Sequence, residues 1–309
     1  VYMENTSGLE KFKQIIFSKK NKDRAFIFLM LLLPVAQFAV FYVYVNVDSI
    51  LMAFQIKEGD AFYWGIDNFK TLFEEFGRSD SIISGALLNT FIFFVTAVGI
   101  TFPLSFLLCF FLYKKIAGYK IFRVIFFLPN IISASVIAVL FKYLIMVDGP
   151  IDSLMEAMGG NLPALLSSSK YALNTIVFYT IFFGLGGNLV LFSGAMSHID
   201  ESVIEAGKID GAGLATEMLK IVVPLMWPTI STVLILNFIG IFNASGPILL
   251  FTRGEWDTFT ISYWIYDQVT FSNQLNYPAA VGLFFTAVGA PIAIFMRWLL
   301  SRGVDDVSM

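Results

Sequence analysis

The sequence has one cysteine and one histidine among 309 residues, and only 14% of its residues are charged. A single cysteine cannot build a disulfide framework, and with one histidine it leaves no His/Cys metal cluster. The chain also lacks the Gly-x-x-x-x-Gly-Lys-Ser/Thr loop that binds nucleotide phosphates, the Gly-x-Ser-x-Gly elbow and the His-Glu-x-x-His helix. We therefore expect no catalytic residues, no metal and no cofactor bound by this chain.

Apolar residues are abundant instead. Hydrophobic residues make up 57% of the chain, and the mean hydropathy is +0.77. Both values lie far outside the range of soluble proteins and predict a multi-span membrane protein. The lipid bilayer is therefore one of its expected partners. The formal net charge of -3 carries little information because the charges are segregated along the chain. No nucleic-acid partner is expected.

Six apolar runs are long enough to cross a bilayer as helices, which predicts an all-α integral membrane fold. They lie at about 25–47, 86–112, 121–145, 173–196, 222–251 and 278–300. Phe127-Leu128-Pro129 predicts a kink in the third run, and 260–269 is expected to form a short helix near the membrane surface. A signal peptide is the alternative for the first run, but that run is too long for an h-region and no small-residue cleavage site follows it.

Charge asymmetry predicts the orientation of these spans. Six basic residues lie in the tail 1–24, four follow the second run, two lie in the polar loop 197–221 and two lie near the C-terminal tail 301–309, which is fourteen of the 20. The other six are spread over three longer segments. Under the positive-inside rule, both tails and the polar loop of the membrane domain 25–300 are cytoplasmic.

The polar loop is longer than a turn between two spans requires. Asp200 is a plausible helix N-cap, and Gly211 with Gly213 supply the open backbone that ends one short helix and begins another. At helical spacing, two sets of residues fall on different faces: Glu201, Glu205 and Lys208 on one, and Val203, Ala206 and Gly207 on the other. The pattern predicts two short helices that offer a polar surface to another molecule.

Glu205-Ala206-Gly207, three residues, Gly211, nine residues and Ile221-Val222-Val223-Pro224 together resemble the EAA signature of ATP-binding-cassette (ABC) importer permeases. The longer string from Ile204 to Ala212 is similar to the carbohydrate-uptake branch, of the maltose and glycerol-phosphate type. Gly207 replaces the usual second Ala, and Val223 replaces the usual Leu. The Trp64-to-Phe69 stretch and Asn89-Thr90 match further family positions. The alternative is an ordinary amphipathic loop helix.

This resemblance implies the type I importer permease core and a coupling helix seated in a cleft of an ATPase subunit. Glu205 would pair with a basic residue of the ATPase, Gly211 would allow the turn between the helices, and Val223-Pro224 would stiffen the start of the fifth span. For Glu205 the alternative is a solvated surface charge. The expected ATPase-coupling residues are Glu205, Ala206, Gly207, Asp210, Gly211, Ile221 and Pro224.

The implied assembly sits in the cell membrane of a prokaryote. It contains a second permease subunit, two ATPase subunits that bind ATP and Mg, an extracellular solute-binding protein and a carbohydrate substrate, expected to be an oligosaccharide. The tail 301–309 lacks the further basic-aromatic ending common in the second permease type of these systems. We therefore expect a heterodimer of two different permeases.

Candidate substrate-path residues lie in the fourth and fifth runs, the halves that line the path in the resembled family. They are Gly184, Gly187 and Asn188 in the fourth run, and Phe242 with Asn243 in the fifth. An aromatic face beside an amide suits a sugar ring, which favours Phe242-Asn243 over Asn237. Close helix packing and interhelical hydrogen bonds explain such glycines and amides equally well.

Two other functions stay open. One is an importer for a non-sugar solute, such as a polyol similar to glycerol phosphate. The other is a secondary transporter, which should carry charged residues within its spans for ion coupling. The apolar runs here contain almost none.

Overall fold

The computed structural model describes residues 19–58, 61–78, 80–243 and 247–301. The predicted tails, 1–24 and 301–309, lie largely outside these ranges. Within them, all regular secondary structure is helical except for one two-stranded antiparallel hairpin, which confirms the all-α class with that one addition. Five helices of the described chain are long and apolar enough to span a membrane, and a bent helix pair makes a sixth candidate.

The N-terminal rod stands apart from the rest of the bundle. Helix α1 (Lys19–Phe38), a π-helical stretch (Ala39–Tyr44) and α2 (Val45–Ala53) follow one another without a break. Only the end of this rod is fixed to other elements: α2 packs on the last helix, and the Asn276 amide donates to the Met52 carbonyl at 3.2 Å. The helix thus continues beyond the predicted run 25–47.

A hairpin and a short amphipathic helix follow the rod. Strands β1 (Gln55–Glu58) and β2 (Ala61–Trp64) pair antiparallel, and α3 spans Asp67–Phe76. The Asn68 amide, part of the stretch that matches the resembled family, donates to the carbonyls of Ala53 at 3.0 Å and Gln55 at 2.9 Å. This residue therefore fastens α3 to the end of the rod.

The centre of the molecule is a pair of long helices. One comprises α4 (Ile82–Thr96), a π-helical stretch (Ala97–Thr101) and α5 (Phe102–Tyr113), and its partner is α9 (Ala172–Ser197). The buried Ser105 hydroxyl donates to the Leu185 carbonyl of α9 at 3.0 Å, because a small residue lets the two backbones approach. Around them lies the main core cluster, which includes Phe106, Phe110, Leu189, Phe192 and Met196.

The third predicted span, 121–145, is two helices rather than one kinked helix. Helix α6 (Tyr119–Ile131) contains Pro129, and α7 (Ala134–Ile145) begins after an extended stretch in which Ile132 has φ -84° and ψ 144°. Proline lacks the N–H that would donate to the residue 125 carbonyl, but the helix continues through Pro129 and ends only at Ile131. A separate short helix, α8 (Pro150–Ala157), follows α7.

The fifth predicted span, 222–251, is also interrupted. The helical stretch Leu214–Leu225 meets Trp227–Phe242 at a bend of 75°. Pro228 has no N–H to donate to the residue 224 carbonyl, and Met226 at the corner has ψ 0°, which ends the first helix. Val223-Pro224 therefore lies before a corner. The sequence had suggested instead that these residues lead straight into the fifth span.

The remaining elements close the opposite end of the bundle. Helix α13 (Trp227–Ile239) leads through a 3-10 turn (Gly240–Asn243) to α14 (Ile248–Phe251), α15 (Ile261–Thr270) and the long α16 (Asn276–Ser301). Helix α15 confirms the short helix expected at 260–269.

Asn89 and Thr90 hold the loop between α14 and α15. The buried Asn89 amide donates to the carbonyls of Asp257 at 2.7 Å and Phe259 at 2.8 Å. The Thr90 hydroxyl oxygen accepts from the Ile261 N–H at 3.0 Å. Trp256 and Asp257 have φ near +60° in this loop, so these bonds hold a backbone that non-glycine residues seldom adopt.

Candidate docking and translocation sites

The expected coupling region is a helix–turn–helix on the surface of the bundle, residues 200–225, which we call the docking segment. Its first helix, α10 (Glu201–Ile209), is capped by Asp200, whose carboxylate accepts from the Ser202 N–H at 2.9 Å. The N–H and hydroxyl of Ser202 hold the pKa of Asp200 below its usual range, so the cap is ionised at neutral pH. The predicted N-cap is confirmed.

Gly211 ends α10 in the left-handed conformation. Its φ is +80°, and the Ala212 N–H donates to the Gly207 carbonyl at 2.9 Å across the turn. This pattern is the usual glycine C-cap of a helix. After Gly213, the chain resumes in α11 (Leu214–Thr216), a π-helical stretch (Glu217–Val222) and α12 (Val223–Leu225).

The inward face of α10 is formed by Ile204 and Gly207. Ile204 is buried in the main core cluster, and Gly207 lies against Ile221, while Val203 and Ala206 are exposed. A Cβ at position 207 would lie 2.5 Å from the Ile221 Cδ1, which gives a steric reason for glycine where the resembled family usually has alanine. Of the three residues that the sequence places on one face, Val203, Ala206 and Gly207, only Gly207 packs inward.

The outward face of the docking segment combines charge with exposed apolar side chains. Glu205, Asp210 and Pro224 are exposed, as a docking role requires. Ile209 is 86% exposed beside them, and Leu214 is 50% exposed just after the turn. Large apolar side chains next to carboxylates on a surface turn are typical of a protein-binding surface.

A buried ion pair joins the docking segment to α5. The Lys114 ammonium lies 2.6 Å and 2.7 Å from the two Glu217 carboxylate oxygens. The side chains are only 18% and 4% exposed. Sequence reasoning missed this pair because Lys114 counted only as one of four basic residues after the second run. The two residues are 103 positions apart, and no local pattern links them.

A cavity of about 340 Å³ lies between α4, α9 and α13. Asn188 and Asn237 both line it, together with Phe93, Phe94 and Gly240. The Asn237 amide nitrogen donates to the Val233 carbonyl at 2.8 Å, and this leaves its oxygen for another partner. In the described part of the chain, no hydrogen bond engages the Asn188 side chain. The cavity thus offers two amides beside aromatic rings.

The other candidate substrate-path residues lie elsewhere. Gly184 lines a different cavity and would place a Cβ 3.3 Å from the Thr101 methyl group, whereas Gly187 is exposed with no atom within 4 Å of such a Cβ. Phe242 packs on Phe285 of α16, with ring centroids 5.1 Å apart. Asn243 ends the 3-10 turn, and its side chain lies outside the described residues. The structure therefore brings Asn188 together with Asn237 and not with Phe242.

Comparison with known proteins places these features in one family. The family model described as "Binding-protein-dependent transport system inner membrane component" matches residues 84–305. The lactose transport system permease protein LacF of Rhizobium radiobacter is 26% identical over 277 residues, which cover 87% of this chain and 91% of that protein. The polygalacturonan/rhamnogalacturonan transport system permease protein YteP of Bacillus subtilis is 26% identical over 308 residues, covering 93% and 94%.

The match to MalF, the maltose/maltodextrin transport system permease protein of Klebsiella aerogenes, is 27% identical over 219 residues and covers only 42% of that longer protein. Among solved structures, a chain of a bacterial ABC transporter involved in import of the acidic polysaccharide alginate superposes with a TM-score of 0.77. It is 22% identical, and the match covers 94% of this chain and 99% of that one. This likeness shows that the two chains share a fold.

Proposed function

The chain belongs to the family of binding-protein-dependent transport system inner membrane components, and we propose that it is the permease subunit of an ABC importer that takes up a neutral carbohydrate. The named relatives are permeases of transport systems for lactose, maltose/maltodextrin and polygalacturonan/rhamnogalacturonan. These names support a carbohydrate substrate, and since polygalacturonan is acidic, the neutral charge is proposed from the cavity lining alone. The observation that carries the proposal is the docking segment, a capped helix and glycine turn that present charge and apolar side chains away from the bundle.

The docking segment is the proposed seat of an ATPase subunit. The chain has no phosphate-binding loop, so an ABC importer that contains it takes its energy from a partner that binds ATP. Glu205 and Ile209 face outward. Glu205 can form an ion pair with the ATPase, and Ile209 can enter an apolar cleft on it. ATP and Mg belong to the two ATPase subunits in this assembly.

Movement of the docked helix reaches the bundle through two contacts. Because the chain turns by 75° at Met226, a push on the docking segment is not transmitted along one straight helix. Ile204 of α10 is instead buried in the main core cluster, and Glu217 holds Lys114 at the end of α5. The motion is therefore shared between α5 and the start of α13. The cavity at Asn188 lies toward the other end of these helices, where it is lined by α4, which precedes α5, and by Asn237 of α13.

The cavity around Asn188 and Asn237 is the proposed part of the substrate path. Its amides can hydrogen-bond to hydroxyl groups while Phe94 stacks on the apolar face of a sugar ring. No lysine or arginine of the described chain lines it. This favours a neutral sugar over an anionic polyol phosphate, although a relative named as an sn-glycerol-3-phosphate permease, UgpA of Yersinia enterocolitica, is 25% identical.

The rest of the proposed assembly follows from the charge distribution and the family. Both tails and the docking segment face the cytoplasm, a second and different permease completes the pore, and an extracellular binding protein delivers the sugar. A second solved complex supports this arrangement: an alginate ABC transporter with its substrate-bound periplasmic protein, which superposes with a TM-score of 0.75.

The test is co-purification and uptake with the tagged full-length chain expressed beside its chromosomal neighbours. We expect Glu205→Ala and Gly211→Asp to lose the ATPase and ATP-dependent uptake while still inserting in the membrane. The matched control, Glu255→Ala, removes another exposed carboxylate, from the loop between α14 and α15, and should keep the ATPase. If both docking variants retain the ATPase and transport normally, the assignment fails.

Energy coupling separates the importer from a secondary transporter. Uptake by an ABC importer depends on ATP and survives collapse of the proton and sodium gradients. Uptake that stops when the gradients collapse, with ATP still present, would identify a secondary transporter instead.

A further inference from the structure

A second cavity, of about 440 Å³, lies beside the docking segment and far from the amide-lined one. It is bounded by the end of α5, the start of α6, the end of α9 and α10. Five charged side chains line it: Lys114, Lys115, Arg123, Glu201 and Lys208. The proposed transport function uses none of the space inside this cavity.

The charges around this cavity do not balance. Lys114 is neutralised by Glu217, which leaves Lys115, Arg123 and Lys208 against one carboxylate, that of Glu201. None of these three cations forms a salt bridge within the described chain. Three cations that converge on one concave surface create a positive potential that attracts an anion.

The turn that carries Lys115 contains two residues in the left-handed region. Lys115 has φ +52° and Gly118 has φ +80° within the five-residue link, 114–118, between α5 and α6. A left-handed residue commonly ends a helix, and here it closes α5 through a bond from the Ile116 N–H to the Phe111 carbonyl at 3.4 Å. Here it places a lysine at the rim of the cavity.

We propose that this cavity binds a phosphate group. Phosphate oxygens accept paired N–H bonds from the planar guanidinium of Arg123, while the ammonium groups of Lys115 and Lys208 supply point charges. The group can belong to an anionic phospholipid or to a free phosphate compound. An apolar stripe on α6 next to Arg123, formed by Ile121, Val124 and Leu128, is 67%, 62% and 49% exposed. Acyl chains can lie on this stripe, which favours the lipid.

The binding test uses the purified full-length chain in neutral detergent, titrated with short-chain phosphatidylglycerol and, separately, with inorganic phosphate. We expect Arg123→Gln, Lys115→Gln and Lys208→Gln each to weaken binding about fivefold, since one basic residue near an anionic lipid contributes about 1 kcal/mol. Lys120→Gln is the matched control, because it removes an exposed lysine at the start of α6 that does not line the cavity. Its affinity should equal that of the wild type.

Glu201→Gln provides a test that misfolding cannot imitate. It removes the one carboxylate of the cavity, so binding should tighten by a similar factor. Phosphatidylglycerol binding that inorganic phosphate does not displace identifies a lipid headgroup. Binding of inorganic phosphate with the same dependence on the variants identifies a free phosphate compound. Both results support the site.

Three results would overturn it. The first is that neither probe binds. The second is that Arg123→Gln and Lys120→Gln bind with equal affinity. The third is that the isolated chain binds the probe but the complex with its ATPase does not, because the ATPase would then fill the cavity.

Discussion

Removal of one partner from the Lys114–Glu217 pair should destabilise the protein more than removal of any exposed ion pair. Lys114→Met leaves a carboxylate that is 4% exposed, and Glu217→Gln leaves an ammonium group that is 18% exposed. An unpaired buried charge costs about 3–5 kcal/mol. Because the lysine stem can bend to bring its ammonium to water, we expect the lower figure for Glu217→Gln and the higher one for Lys114→Met.

Thermal unfolding of the purified protein at a fixed scan rate measures both variants. At roughly 2 °C per kcal/mol, the midpoint should fall by about 10 °C in Lys114→Met and about 6 °C in Glu217→Gln. The double variant Lys114→Met/Glu217→Leu leaves no charge unpaired, so it should unfold within about 2 °C of the wild type. With the single variant Glu217→Leu added, the double-mutant cycle then reports the coupling of the two groups.

The exposed pair Lys70–Asp67 is the matched control. Its N–O distance is also 2.6 Å, but its side chains are 62% and 48% exposed. Exposed pairs contribute about 0–1 kcal/mol, so Lys70→Met should shift the midpoint by no more than about 2 °C. If Lys70→Met and Lys114→Met lower the midpoint equally, burial does not determine the strength of this contact and the reasoning is refuted.

Three further substitutions test other contacts. Gly211→Ala forces a side chain into a φ of +80° at a cost of about 1–2 kcal/mol, so amide exchange in α10 should accelerate about tenfold, whereas Gly213→Ala should leave it unchanged. Asn89→Leu leaves two carbonyls unpaired and should lower stability by about 2–4 kcal/mol in thermal unfolding; a loss no larger than that of exposed Asn46→Leu would contradict this. Asn188→Leu should raise the half-saturating sugar concentration for uptake about tenfold. Unchanged uptake would show that the cavity is not part of the substrate path.

The local features of the docking segment could be predicted from its sequence. Asp200 and Gly211 each act on backbone groups within three residues, through a capping bond and a positive φ. Such short-range requirements leave a direct mark on residue type. The burial of Ile204 was not predicted, because Ile204 is packed by residues of α5 and α9 that a helical pattern alone does not locate.

Prolines in the sequence mark the breaks in the third and fifth predicted spans, but only the proline of the third span entered the prediction. Pro129 indicated a distortion in the third span, but the position of the break depends on how α6 and α7 pack. Pro228 lies four residues after Pro224, and this spacing removes the hydrogen bond that would have carried the helix through Met226. A hydropathy pattern records how apolar a segment is and does not record this missing bond.

Contacts between distant segments left no mark in the sequence. Asn89 was noted only as one half of a family match, and its role in holding the loop at Asp257 depends on residues 168 positions away. The same holds for Asn188 and Asn237, which α9 and α13 bring to one cavity. Sequence reasoning ranked Phe242 above Asn237 by the local pairing of an aromatic with an amide, and the structure directs Phe242 to α16 instead.

Labelling of a cysteine at Ile209 is the most direct measurement of whether the docking segment seats an ATPase in the cytoplasm. The wild-type chain has a single, buried cysteine, Cys109, and serves as the blank. Ile209→Cys should react with a membrane-impermeant maleimide in inside-out vesicles stripped of the ATPase, and it should be protected when the ATPase is added back. Labelling from the outside of intact cells, or equal labelling with and without the ATPase, would contradict that placement.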